Sequence, residues 1–86
     1  MRAYVEDVLG PKLTAFLTGD SQDAAQPIAS AYRIVRLLTE HETHAVIRAW
    51  FIGMNPNLDD SSPAETIAAG NYREAWAAAQ TYTVGG

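Results

Sequence analysis

The stretch from Ala49 to Gly70 constrains the fold more than any other part of the chain, because it contains both an enforced helix end and an enforced helix start. Pro56 cannot continue a helix that arrives from its N-terminal side, since it lacks a backbone N–H and clashes with the carbonyl four residues earlier. Asn55, directly before it, suits a turn. We therefore expect the arriving helix to end near Gly53.

The second half of this stretch predicts a new helix. Ser62 can accept a hydrogen bond from a free amide as the N-cap, and Pro63 suits the first helical position, where its missing N–H costs nothing. Glu65 comes three residues after Ser62 and can bond back to it, which completes a capping box. Gly70 then supplies the stop. The sequence therefore predicts two helices joined by one polar turn.

The order of residues across this turn resembles the C-terminal toxin-binding domain of the Xre/MbcA/ParS class of bacterial antitoxins. In that family a tryptophan-bearing helix runs into the pattern NP.L....SP....I..G and then a last helix. The resemblance covers residues 31–86. The matching positions here are Trp50, Asn55, Pro56, Leu58, Ser62, Pro63, Ile67 and Gly70.

This resemblance implies a protein that needs no catalytic residue and inhibits a toxin by binding it. The usual toxin is a RES-domain enzyme that destroys NAD, and inhibition would be steric, with Trp50, Trp76 and the tail from Tyr82 to Gly86 occluding the cleft that admits the dinucleotide. We expect the partner-binding residues to be Trp50, Phe51, Leu58, Arg73, Trp76 and Tyr82. The structural turn residues are expected to be Asn55, Pro56, Ser62, Pro63 and Gly70.

Two other functions stay open. Antitoxins of this class commonly carry an Xre-like helix-turn-helix and repress their own operon as dimers. Residues 9–10 and 13–16 look like the first helix of that module. Between Gly19 and Ala31 there is no basic recognition helix and no room for one, which disfavours direct DNA binding. The shortened N-terminal region also fits a scaffold or decoy carried by a phage or mobile element.

Length and charge limit the remaining choices. An 86-residue chain is one domain by size, which we divide into a reduced Xre-like region, residues 1–26, and a toxin-binding-like core, residues 27–86. A domain this small buries only about 60% of its unfolded surface, so a homo-oligomer or a partner is expected. The net charge of -4 repels a phosphate backbone. The lack of cysteine, signal peptide and membrane-length apolar run predicts a cytoplasmic protein.

Apolar residues recur at helical spacing along the chain, and no strand-like alternation persists. Two short helices or one kinked helix are predicted up to Gly19, with the interruption at Gly10 and Pro11. A polar connector over residues 20–26 leads to a helix over residues 27–39, and the last helix is expected to fray over residues 83–86. We therefore predict an all-α fold, a compact bundle of four or five short helices.

The helix that carries Trp50 is apolar on nearly all sides, and Thr43 is its expected N-cap. A helix of this kind is either wrapped by the rest of its domain or divided between the core and a partner surface. One side carries Val46, Ile47, Trp50 and Phe51, the other carries Ala45, Ala49 and Ile52, and only His44 and Arg48 clearly face water.

Candidate catalytic and metal-binding groups are few. His41 and His44 are three residues apart across an expected helix boundary, whereas the zinc-protease motif places two histidines four apart on one helix. Asp59 and Asp60 are adjacent, and the side chains of adjacent residues rarely converge for paired acid and base chemistry. We expect them instead to place negative charge near the N-terminus of the following helix. We predict a non-enzyme with no catalytic, cofactor-binding or metal-ligating residue.

Overall fold

The computed structural model describes residues 1–19 and 25–84, and these residues form six α-helices and no strand. The prediction of an all-α fold is confirmed. Part of the predicted connector, residues 20–24, and the end of the predicted tail, residues 85–86, lie outside the described residues. The elements are α1 (Arg2–Leu9), α2 (Pro11–Thr18), α3 (Ala25–Leu38), α4 (His44–Ile52), a 3-10 turn (Pro56–Leu58), α5 (Pro63–Ala68) and α6 (Tyr72–Val84).

Gly10 separates α1 from α2. Its φ of 89° is a backbone conformation that favours glycine. Its N–H donates to the Glu6 carbonyl over 2.8 Å, and its own carbonyl accepts from the Thr14 hydroxyl over 2.8 Å. Pro11 opens α2, where its missing N–H costs nothing. Two separate helices therefore form in place of one kinked helix, which brings the number of α-helices in the described part of the chain to six.

A single core joins the six helices, and α3 packs against α1, α2, α5 and α6. Ile34 is fully buried because neighbouring helices cover α3 on more than one side. Helix α3 begins at Ala25, so residues 25 and 26, which were expected in the polar connector, belong to the helix. The core comprises Val5, Val8, Leu9, Leu17, Ile28, Ala31, Ile34, Val35, Leu38, Ile47, Phe51, Ala64, Ile67, Ala75 and Ala79.

The turn between α4 and α5 forms where it was expected. Helix α4 ends with Gly53 as its C-cap, and Pro56 opens the 3-10 turn. The side chain of Asn55 accepts a hydrogen bond from the Asn57 N–H over 2.9 Å, while the backbone N–H of Asn55 donates to the Ser61 carbonyl over 3.1 Å. Asn55 therefore holds this loop through both its side chain and its backbone.

Ser62 and Glu65 form the expected capping box. The Glu65 N–H donates to Ser62 Oγ over 3.0 Å, and the Ser62 N–H donates to Glu65 Oε1 over 2.9 Å. Pro63 occupies the first turn of α5, and Gly70 follows the helix with a φ of 87°. The hydrogen bonds from the backbone and hydroxyl of Ser62 favour the ionised carboxylate, so they lower the pKa of Glu65.

Replacing Ser62 with alanine is expected to lower the free energy of unfolding by about 1 kcal/mol, because the first turn of α5 loses its N-cap.

The contribution of the Glu65 side chain to the free energy of unfolding should depend on pH. Since its pKa is lower in the folded state, that contribution is complete above the ordinary value of 4.5 and disappears as the pH falls through the lowered value. Urea denaturation of wild type and Glu65→Ala across this range measures it; a stability difference that does not shrink in acid would contradict the capping role.

Helix α6 extends further than expected. Thr83 and Val84 belong to the helix, and the Thr83 hydroxyl donates to the Gln80 carbonyl over 3.0 Å. The prediction that the chain frays from Thr83 is therefore wrong for these two residues.

Candidate partner-binding surface

Helix α4 has one buried side and one exposed apolar side. Ile47 and Phe51 are fully buried where α4 packs against α1 and α5. Because successive residues of an α-helix are 100° apart, four other residues point away from that buried side, and all four are exposed. We call them the α4 face; they are Ala45, Val46, Ala49 and Ile52.

Large apolar side chains on and next to the α4 face are well exposed to solvent. The exposed fractions of Val46 and Ile52 are 40% and 65%, and Met54, two residues past the helix, is 80% exposed. Beside Ile52 lies a mostly apolar hollow of about 480 Å³. Its lining residues are Leu9, Gly10, Pro11, Lys12, Leu13, Arg48 and Ile52.

Arg48 lies at one border of the α4 face. Its Nη1 donates to the Val8 carbonyl over 2.9 Å and so ties α4 to α1. A guanidinium that is already held in place therefore borders the hollow beside Ile52. The mostly apolar lining of this hollow suits it to receive an apolar side chain of a partner.

Trp50 forms the opposite border and is half-buried. Its ring meets Phe51 edge-on at 5.2 Å and lies 6.2 Å from the ring of Tyr82. The Tyr82 hydroxyl donates to Glu42 Oε1 over 2.9 Å, and this bond raises the pKa of Tyr82 because it favours the neutral phenol. Two of the expected partner-binding residues, Trp50 and Tyr82, are thus held together beside the α4 face.

Arg73 and Trp76 lie elsewhere, on the side of α6 that meets α3. With Arg33 they line an open hollow of about 440 Å³, and the Arg33 guanidinium carbon is 4.3 Å from the centre of the Trp76 ring. The six expected partner-binding residues therefore do not form one site.

Phe51, another expected partner-binding residue, is fully buried in the core, so this structure does not expose it to a partner. Leu58 is half-buried in the 3-10 turn. It lines a third hollow, and Trp50 is not among the residues that line this hollow. Sequence reasoning left Val46, Ile52 and Met54 out of the site. The signal that could have found them is the apolar character of α4 on all sides, since a surface helix buries only one side.

Among the described residues, the histidine, aspartate and glutamate side chains form no group of three or more that could hold a metal ion. His41 and His44 are exposed, and so are Asp59 and Asp60, which have φ angles of 54° and 67° in the turn before α5.

In the part of the chain that the structure describes, no helix is both long and apolar enough to pass through a bilayer.

Searches against models of protein families, curated proteins and solved structures find no match to this chain.

Proposed function

We propose that the protein is a non-enzymatic, antitoxin-like protein that binds a protein toxin through the α4 face and inhibits it sterically. The observation that carries this proposal is the α4 face itself. Single exposed apolar side chains are ordinary on protein surfaces, whereas adjoining ones along a helix, with an apolar hollow at one end, are typical of an interaction site. The α4 face is also an open surface, so it suits a protein partner more than a small molecule, which binds in an enclosed pocket.

The residue types along the α4 face support the same proposal. Ala45 and Ala49 lie at its middle, where their small side chains allow a partner element to approach closely, and Val46 and Ile52 project on either side. Tryptophan and arginine are enriched among the residues that dominate binding energy, and Trp50 and Arg48 occupy the two borders. A partner helix packed along α4 would cover the four side chains of the α4 face together.

The nature of the partner rests on the resemblance of residues 31–86 to the Xre/MbcA/ParS antitoxins, which favours a RES-domain enzyme that degrades NAD. The α4 face leads into the turn that carries Asn55 and Pro56, and Tyr82 stands next to it through its contact with Trp50. Of the residues expected to occlude the toxin cleft, Trp50 and Tyr82 would then act side by side, whereas Trp76 lies on the side of α6 that meets α3. A cytoplasmic location and a homodimer belong to the same proposal.

The test is purification of the tagged protein from its native host together with whatever remains bound at stoichiometric amounts. We expect one enzyme, encoded nearby, whose consumption of NAD stops when the protein is added at equimolar concentration. An enzyme that binds but stays fully active would support the scaffold or decoy function. Recovery of the protein alone, with no inhibition of the neighbouring enzyme, would contradict the antitoxin function.

A further inference from the structure

Half of the six basic residues of this chain meet around Trp76. Arg33 and Trp76 line two adjoining hollows, one of about 440 Å³ that Arg73 completes and one of about 370 Å³ that Arg36 completes. We call the two together the arginine hollow. Helix α3 supplies Arg33 and Arg36, and α6 supplies Arg73 and Trp76, so the hollow exists because α3 packs against α6.

Two of the three guanidinium groups of this hollow, those of Arg33 and Arg36, are held in place by contacts that leave their charge intact. Arg33 stacks on the Trp76 ring at 4.3 Å. Arg36 Nη1 donates to the Tyr32 hydroxyl over 3.0 Å, and this bond raises the pKa of Arg36. A guanidinium that stacks or donates one hydrogen bond retains further N–H donors for an anion.

None of these three arginines forms an ion pair with a carboxylate of the described residues, where the ion pair present is Arg2 with Glu6 at 3.6 Å. Glu40 borders the second hollow, and the chain as a whole carries a net charge of -4. Three unpaired cations gathered at one indole in an acidic protein form a locally positive patch, and a patch of this kind favours a negatively charged partner.

We propose that the arginine hollow binds an acidic segment of a protein partner, with carboxylates paired to Arg33 and Arg73 and the segment packed against Trp76. The planar guanidinium fork matches a carboxylate in bidentate geometry. A polynucleotide fits less well, because it needs a long basic track and the net charge of the chain repels it. This second surface goes beyond the antitoxin function, since it requires neither the α4 face nor an enzyme as partner.

The test is an NMR titration that follows the indole N–H of Trp76 while an acetylated, amidated hexaglutamate is added at low salt. We expect a saturable shift at Trp76, a smaller one at Trp50, and weakening of binding as salt is raised. Arg33→Glu combined with Arg73→Glu should weaken binding at least about tenfold. The matched control, Arg2→Glu combined with Lys12→Glu, changes the net charge equally and should stay within about twofold of wild type.

Equal weakening in the two double variants would overturn the proposal, since net charge alone would then explain the binding. Tighter binding of a hexathymidylate than of the hexaglutamate would also overturn it, in favour of nucleic acid. Arg33→Gln combined with Arg73→Gln serves if charge reversal disturbs the fold, which circular dichroism reports. The Ile52→Glu variant should bind hexaglutamate normally, so that failure at the α4 face is distinguished from failure here.

Discussion

Replacing Phe51 with alanine is expected to lower the free energy of unfolding by about 3–5 kcal/mol. The Phe51 side chain is fully buried, and its ring is in edge contact with Trp50 at 5.2 Å, so truncation leaves a cavity where α4 meets the core. Small domains have stabilities toward the low end of about 5–15 kcal/mol, so this loss is a large share of the total. Urea denaturation followed by circular dichroism measures it.

The adjacent residue provides the matched control. Ile52 is 65% exposed, so Ile52→Ala should change the free energy of unfolding by no more than about 0.5 kcal/mol. The two variants truncate apolar side chains at neighbouring positions of the same helix, one on its buried side and one on its exposed side. Equal destabilisation by both would show that Ile52 is also buried, and it would remove the basis for the α4 face.

Placing two carboxylates on the α4 face, as Val46→Glu combined with Ile52→Glu, should weaken toxin binding by about 100-fold or more while the fold is retained. Both side chains are exposed in the free protein, so the substitutions create no cavity. In a complex, however, each carboxylate would have to leave water for an apolar contact without a partner charge, which is costly. Calorimetry with the co-purified enzyme and an assay of NAD consumption measure binding and inhibition.

The control for this variant is Ala3→Glu combined with Ala15→Glu, which adds the same charge at exposed positions of α1 and α2. It should bind and inhibit as wild type does. If both double variants lose binding equally, repulsion by net charge is the cause. If the variant of Val46 and Ile52 inhibits normally, the toxin does not bind through the α4 face, and the proposed function loses its structural support.

Helix ends were predictable because their chemistry acts over only three or four residues. The capping box of Ser62 and Glu65 and the break at Gly10 formed where the sequence indicated. Thr43 likewise accepts from the N–H of Val46 over 3.4 Å at the start of α4. The all-α fold follows from the same local signals, joined to apolar residues at helical spacing.

The two candidate surfaces depend on tertiary packing, which periodicity alone does not specify. Periodicity places Phe51 and Ile52 100° apart on α4, but contact with α1 and α5 decided that Phe51 is core and Ile52 is surface. Arg33 and Arg73 are distant in sequence, and they share one hollow because α3 packs against α6. The sequence by itself determined the helix ends that carry capping or helix-breaking residues, since capping is local. The tertiary structure decided which side chains stay exposed and adjoin, since burial depends on neighbours brought together from distant parts of the chain.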